Sequence, residues 1–167
     1  MDLFIMRHGI AVAESSEGGF SDGERPLSPK GLKRTRQIAG GLLALKLSFD
    51  RILTSPLVRA RETAQIVAEV LNMEGRVEEV SELAPDGSVQ TLVSRLAGLR
   101  EEKEILLVGH QPLLGELASF LLSRGKGIKL RLRKGGLCCL EVDDLGSNAS
   151  AILHWVLTPK QLRLLAR

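Results

Sequence analysis

The most restrictive feature of this sequence is a continuous apolar run at residues 105–108 (ILLV). Four apolar residues bounded by polar ones are too few for a buried helix, and they lack the alternation of a strand with one wet face. Such a run is typical of a parallel sheet that is covered by helices on both faces. Residues 3–6 form a second run of this kind, and a shorter one lies within residues 51–54.

Segments with apolar residues at helical spacing separate these strands. We predict helices over residues 28–47, 56–71, 88–99 and 113–122, and a short final helix that ends near residue 165. Ser28, Ser55 and Thr158 each precede a proline, so we predict that each caps a helix whose first turn holds that proline. Gly40 and Gly41 interrupt the first helix, and close packing against the sheet is one explanation for them.

The alternation of strands and helices up to residue 123 predicts parallel pairing. Further strands are predicted at residues 77–80, 137–142 and 151–157, and the polar turn 143–150 indicates an antiparallel hairpin at one edge. The expected fold class is therefore α/β: a single-domain three-layer α/β/α sandwich over residues 1–167, with a mostly parallel central sheet of about five or six strands.

Composition limits the partners that this chain can have. Aromatic residues make up 3% of the sequence and tyrosine is missing, which argues against a nucleic-acid module built on base stacking. No stretch approaches eighteen apolar residues, so we expect no membrane span. Cys138 and Cys139 are adjacent, which disfavours a bridge between them and fits a reducing compartment. We expect a cytoplasmic monomer that needs no metal ion or other cofactor.

Histidines and arginines follow three of the predicted strands. Arg7 and His8 come directly after residues 3–6, Arg59 lies in the first turn of the helix that follows residues 51–54, and His110 follows residues 105–108 with one glycine between. The carboxyl ends of parallel strands meet at one edge of a sheet, so these four side chains are predicted to converge. The alternatives are structural: Arg59 could pair with Glu62 on its helix, and His110 could merely cap a helix.

Converging arginines and imidazoles indicate a phosphate pocket. Arginine forks match phosphate oxygens, and helix N-termini favour anions through their free N–H groups. A neutral imidazole can attack phosphorus, so His8 is the candidate nucleophile. Arg7, Arg59 and His110 would then hold the three equatorial oxygens, on which negative charge spreads in the transition state.

Residues 6–9 (MRHG), 54–64 (TSPLVRARETA) and 108–112 (VGHQP) resemble the three signatures of the histidine phosphatase superfamily. Asp22, together with residues 25–28 (RPLS) and Gly31, is similar to the pattern of its small bacterial phosphohistidine phosphatase branch. The resemblance extends from residue 3 to about residue 123. It implies a phosphoglycerate mutase-like fold, with His8 as phosphoacceptor and Arg7, Arg59 and His110 as phosphate ligands.

The proton donor does not follow from this resemblance. The acid-phosphatase and phytase branch carries an aspartate after its second histidine, and Gln111 stands there in this chain. Glu82, in the loop after residues 77–80, is the candidate acid by position, and it could equally be a solvated loop carboxylate. A phosphoramidate releases an imidazole, which needs a weaker acid than an alkoxide does. The sequence therefore favours a phosphatase that acts on protein phosphohistidine.

Two other functions fit the same residues. One is a phosphatase of small metabolites or phosphosugars, and the other is a non-catalytic phosphate-binding or docking module. An intact His8 argues against the docking module, because a pure binder needs no nucleophile.

A basic stretch at residues 124–134 has two interpretations. It contains no acidic residue and six basic ones: Arg124, Lys126, Lys129, Arg131, Arg133 and Lys134. It could be an edge strand blunted by charge, or a docking patch for an acidic protein that carries the phosphohistidine or for nucleic acid. His154, far from the three motifs, is predicted to be structural.

Overall fold

The computed structural model describes residues 1–14, 19–124, 127–146 and 149–166. Strands within these residues are β1 (Asp2–Arg7), β2 (Arg51–Thr54), β3 (Val77–Glu79), β4 (Glu104–Gly109), β5 (Leu137–Asp144) and β6 (Ser150–Leu157). They form one sheet in the order β3-β2-β4-β1-β5-β6. The first four strands in this order pair in parallel, and β5 and β6 pair antiparallel. The predicted mostly parallel sheet with an edge hairpin is confirmed.

Helices cover both faces of this sheet. They are α1 (Pro29–Ala44), α2 (Val58–Leu71), α3 (Val89–Ala97), α4 (Leu113–Ser123) and α5 (Pro159–Leu165). Alternate residues along β1 divide between two cores: Leu3 and Ile5 pack with α3 and α4, whereas Phe4 and Met6 pack with α1, α2 and α5. The three-layer α/β/α prediction is therefore confirmed. Among the described helices, none is long and apolar enough to cross a bilayer.

Two of the three predicted helix caps are present. Ser28 accepts a hydrogen bond from the N–H of Gly31 at 3.0 Å, and Thr158 accepts one from the N–H of Gln161 at 3.3 Å. The prediction for Ser55 is wrong, because α2 begins at Val58 rather than at residue 56. The hydroxyl of Ser55 instead lies 2.8 Å from a ring nitrogen of His110. In the sequence, a serine followed by proline does not show whether the serine caps a helix or contacts a histidine elsewhere in the fold.

Close packing does explain Gly41, but the partner is a helix and not the sheet. A Cβ atom on Gly41 would overlap the backbone carbonyl of Leu162 in α5. The glycine therefore allows α5 to cross α1 at backbone contact. The glycine costs about 1 kcal/mol of helix stability relative to alanine, and it is found where the two helices are in contact.

The basic stretch is not an edge strand, so that interpretation is wrong. Residues 127–134, which we call the crossing segment, have no regular secondary structure, and Lys126 lies outside the described residues. Leu132 is buried, and its carbonyl accepts a hydrogen bond from Nη1 of Arg7 at 3.1 Å. The N–H of Gly135, just after the segment, donates to the carbonyl of Arg7 at 2.9 Å. The crossing segment thus lies over the carboxyl end of β1.

The two cysteines point to opposite faces of β5, as expected for neighbours in a strand. Cys138 lies in the core beneath α3 and α4, and Cys139 lies in the other core. Burial raises the pKa of the Cys138 thiol to about 12 and that of Cys139 to about 11. Both are free, inert thiols.

Candidate active site

His8 and His110 meet where β1 and β4 end side by side. The parallel register pairs Arg7 with Gly109, and the N–H of His8 donates to the carbonyl of Gly109 at 3.0 Å. The two imidazole centroids are 4.9 Å apart, with 51° between the ring planes. The structure therefore brings together two histidines that are 102 positions apart in the sequence (110 − 8).

The hydrogen bond of the His8 ring determines which nitrogen is available for chemistry. Nδ1 lies 2.7 Å from the carbonyl oxygen of Gly9. A carbonyl can only accept, so Nδ1 carries the proton and Nε2 keeps its lone pair. His8 as a whole residue is 6% exposed, so it is almost entirely buried.

Gly9 holds this arrangement against two helices. Its N–H donates to Oγ1 of Thr63 in α2 at 3.0 Å. A Cβ atom at this position would lie 2.5 Å from Oγ1 of Thr35 in α1, closer than real Cβ atoms approach. A glycine is therefore required for the loop to sit this close to both helices, and the carbonyl that fixes the His8 tautomer belongs to it.

Both histidines are held neutral. Burial, followed by the charges of His110 and the nearby arginines, lowers the pKa of His8 from 6.5 to about 3. Burial and then the charge of Arg59 lower the pKa of His110 to about 4. The lowered pKa leaves the His8 ring unprotonated at neutral pH, which is the form that a nucleophilic imidazole requires.

Ser55 fixes the ring of His110. Its Oγ lies 2.8 Å from Nε2 of His110 and accepts a hydrogen bond from the N–H of Leu57 at 3.3 Å. The hydroxyl proton is then free to be donated to Nε2, which favours the His110 tautomer with a proton on Nδ1. This contact was missed in the sequence, where Ser55 followed by proline is a typical helix start.

Arg59 is buried, at 4% exposure, and is held by Asp22. Nη1 donates to the Asp22 backbone carbonyl, and Nη2 lies 3.0 Å from Oδ2 of the same residue. Hydrogen bonds from Arg25 and then Arg59 hold the pKa of the Asp22 carboxyl below its usual range. The surface pair of Arg59 with Glu62 is not formed, since Glu62 accepts from the N–H of Leu27 at 2.6 Å.

Two arginine N–H groups at this edge of the sheet have no acceptor. Nε of Arg7 and Nε of Arg59 are both buried and lack a hydrogen-bond partner among the described residues. A buried unsatisfied donor costs about 1–3 kcal/mol. Both arginines therefore have donor capacity that an anion could fill.

Glu82 remains a prediction. It lies in the 3₁₀ turn Ser81–Leu83 that follows β3, and it is half-buried. The hydroxyl of Ser81 donates to its Oε2 at 3.3 Å, and in the part of the chain that the structure describes this carboxylate has no hydrogen bond to either histidine.

His154 lies away from the site, on β6, where Nε2 is 2.8 Å from a carboxylate oxygen of Glu141. Within the described ranges, no group of three acidic, cysteine or histidine side chains could hold a metal ion.

The lowered pKa values of the histidines predict an acid-tolerant enzyme. As the pH falls, protonation removes the lone pair of His8, and this should begin near pH 4 rather than 6.5. We expect kcat/KM, corrected for ionisation of the substrate, to keep its neutral value down to about pH 5. In the unfolded chain the two histidines take up protons from about pH 6.5 downward, whereas in the folded protein they do so only near pH 3–4. The free energy of unfolding therefore falls between these pH values. Circular dichroism at each pH confirms that the protein is still folded. An acid limb at pH 6.5 in folded protein would contradict the expectation.

Three comparisons with known proteins agree with this geometry. A model of the histidine phosphatase superfamily (branch 1) matches residues 3–84. The phosphohistidine phosphatase SixA of Escherichia coli strain K12 is 30% identical over 166 residues, which are 98% of this chain and 98% of the relative. The structure of the protein histidine phosphatase SixA complexed with tungstate has a TM-score of 0.85 at 29% identity, and covers 97% of this chain and 99% of that one.

A phosphoglycerate mutase from Bacillus anthracis strain Sterne shares the fold, with a TM-score of 0.66 at 15% identity, covering 99% of this chain and 96% of that one. The fold is therefore phosphoglycerate mutase-like.

Proposed function

Because this chain belongs to the histidine phosphatase superfamily, in the branch of the SixA phosphohistidine phosphatases, and is therefore a phosphatase, we propose that it hydrolyses phosphohistidine on proteins and that His8 is its nucleophile. The carrying observation is the ring of His8. Nδ1–H is committed to the carbonyl of Gly9 at 2.7 Å, so the unprotonated Nε2 of a neutral imidazole is available in the pocket.

The reaction has two steps. In the first, Nε2 of His8 attacks phosphorus, a P–N bond to the enzyme forms, and the P–N bond to the substrate breaks. The departing imidazole takes up one proton and leaves neutral. In the second, water attacks the phosphoryl group on His8, giving inorganic phosphate and the free imidazole. Splitting the reaction in this way replaces one difficult displacement by two easier ones.

Arg7, Arg59 and His110 are the proposed phosphate ligands. The buried Nε donors of both arginines lack acceptors among the described residues, and phosphate oxygens would supply them. Ser55 directs Nδ1–H of His110 away from itself, which makes this proton available to a third oxygen. The SixA structure with tungstate, an oxyanion shaped like phosphate, supports an oxyanion pocket in this fold.

The choice of phosphohistidine over a metabolite rests on the leaving group. Gln111 follows His110 where the acid-phosphatase branch has an aspartate, so protonation of the leaving group depends on Glu82, His110 or water. An alkoxide is a poor leaving group when it is not protonated, and general-acid help is worth about 10²–10⁴ in rate. Imidazole leaves well with weaker help. The cytoplasm is the proposed location, which the two free, buried cysteines support.

A leaving-group series tests this proposal. We expect a histidine-phosphorylated protein and an activated aryl phosphate to be hydrolysed much faster than alkyl phosphates, by roughly 10²-fold or more. Glu82→Gln should change phosphohistidine turnover little and slow alkyl-ester turnover further; Glu79→Gln, on the exposed end of β3, is its control. If kcat/KM, which reports the step in which the leaving group departs, does not depend on leaving-group pKa in the wild-type enzyme, an effective general acid is present. The metabolite-phosphatase alternative would then be favoured.

A further inference from the structure

A cleft of about 750 Å³ opens beside Arg7, between α1, α5 and the crossing segment. Its lining includes seven cationic side chains and, within the described residues, no acidic one. The cations are Arg7, Arg34, Arg131, Arg133, Lys134, Lys160 and Arg163. The basic stretch of the sequence contributes only part of this set, since α1 and α5 supply Arg34, Lys160 and Arg163.

The cations of this cleft have no carboxylate partners among the described residues, in contrast to two arginines on the neighbouring helices. Arg36, two positions after Arg34 on α1, pairs with Glu69 at 3.2 Å, and Arg61 pairs with Glu79 at 3.5 Å. Within the described ranges, none of the seven cleft cations is in an ion pair with a carboxylate. Cations that converge without counter-charges repel one another and raise the local concentration of anions.

The cleft borders the site of His8 and His110 through Arg7. This arginine contributes to the cleft wall, and its charge helps to lower the pKa of both histidines. Burial and then the charge of Arg131 lower the pKa of Arg7, and burial and then the charge of Arg7 lower the pKa of Lys134. Arg7 therefore interacts electrostatically with Arg131 and with Lys134 in the wall of the cleft.

The form of the cleft distinguishes a protein surface from a small ligand. Arg131, Arg133, Lys134 and Lys160 are exposed, so they form a rim that solvent reaches. Small-molecule sites bury most of their ligand and use a few precisely placed polar groups. An exposed rim of one charge is instead typical of a docking surface, where it speeds encounter and selects partners.

We propose that this cleft binds an acidic surface of the substrate protein, whose Asp and Glu side chains surround the phosphohistidine. The inference rests on the proposed function. His8 is almost entirely buried, so a phosphohistidine side chain reaches it only if the surrounding protein surface lies against the rim. On the Arg7 side of the pocket that rim is the cation-lined cleft.

Charge reversal on the far wall of the cleft tests the proposal. The variant is Arg34→Glu with Lys160→Glu, and its control is Lys30→Glu with Lys33→Glu, which makes the same charge change on exposed residues outside the cleft. The substrates are a folded acidic protein with one exposed phosphohistidine, the same protein with the neighbouring carboxylates changed to amides, and p-nitrophenyl phosphate. Circular dichroism confirms that both variants are folded.

We expect kcat/KM of the cleft variant on the acidic protein to fall roughly 10–100-fold below that of the control at low salt. The loss should shrink as ionic strength rises and should be small on the amide-substituted protein. Turnover of p-nitrophenyl phosphate should match that of the control variant.

Each other outcome overturns the inference. Equal losses on the acidic protein and on p-nitrophenyl phosphate would assign the cations to the phosphoryl group itself. Equal activity of the cleft and control variants on the acidic protein would remove the docking role. Inhibition of p-nitrophenyl phosphate turnover by tripolyphosphate, lost only in the cleft variant, would make the cleft a small-polyanion site. If the wild-type enzyme hydrolyses p-nitrophenyl phosphate but neither phosphohistidine protein, the proposed function itself fails, and the inference with it.

Discussion

His8→Ala should reduce kcat by roughly 10⁴-fold or more and leave the fold intact. The imidazole is proposed to form the covalent intermediate, and no other described imidazole can replace it: His110 is tied to Ser55, and His154 lies on β6 beside Glu141. Wild-type enzyme quenched during turnover should carry an acid-labile phosphoryl group, and the variant should carry none. Steady-state rates and ³¹P NMR of the quenched protein are the measurements.

His154→Ala is the matched control, because it removes an imidazole that is 40% exposed and far from the site. Its activity should stay within about twofold of wild type, since surface substitutions of this kind have small effects. Turnover by folded His8→Ala at the wild-type rate, or a phosphoryl group trapped on another residue, would remove His8 from the proposed mechanism.

Arg59→Ala should lower kcat/KM by about 10³-fold. An arginine that neutralises the charge on a phosphoryl group in the transition state of its transfer raises the rate by about 10³–10⁵-fold. Arg59 is 4% exposed, and its guanidinium is oriented by both the carbonyl and the carboxylate of Asp22. Arg59→Lys should recover only part of the loss, because an ammonium lacks the planar fork that meets two oxygens at once.

Arg61→Ala is the control for this change. Arg61 lies on the same helix, but its side chain is 40% exposed and its partner is Glu79 at 3.5 Å. Exposed pairs of this kind contribute about 0–1 kcal/mol. Equal activities of Arg59→Ala and Arg61→Ala would show that Arg59 does not contact the phosphoryl group, and that its burial serves only the structure around Asp22.

The strand ends could be predicted because parallel strands leave a strong signal in sequence. Continuous apolar runs are found where a sheet is buried on both faces, and a parallel sheet must place His8 and His110 at one edge. The convergence of the two imidazoles thus follows from pattern and topology alone.

The remaining parts of the site depend on tertiary contacts that have no periodic signal. Asp22 lies in an aperiodic stretch, so its bond to Arg59 could not be read from spacing. Ser55 has the sequence of a helix cap, yet its hydroxyl faces His110. Arg34 resembles an ordinary solvated helix residue until α5 and the crossing segment are placed beside it.

The position of β1 within the sheet links the placement of His8 to the global stability of the fold. It lies between β4 and β5 and is hydrogen-bonded along both edges, and the chain that leaves it carries His8 without an intervening flexible loop. Local openings with low free energy occur at edges and termini of the hydrogen-bond network, whereas central strands open only with the whole domain. Partial unfolding at β3 or β6 therefore leaves His8 in place, and we expect denaturant to displace this residue only in the global unfolding transition.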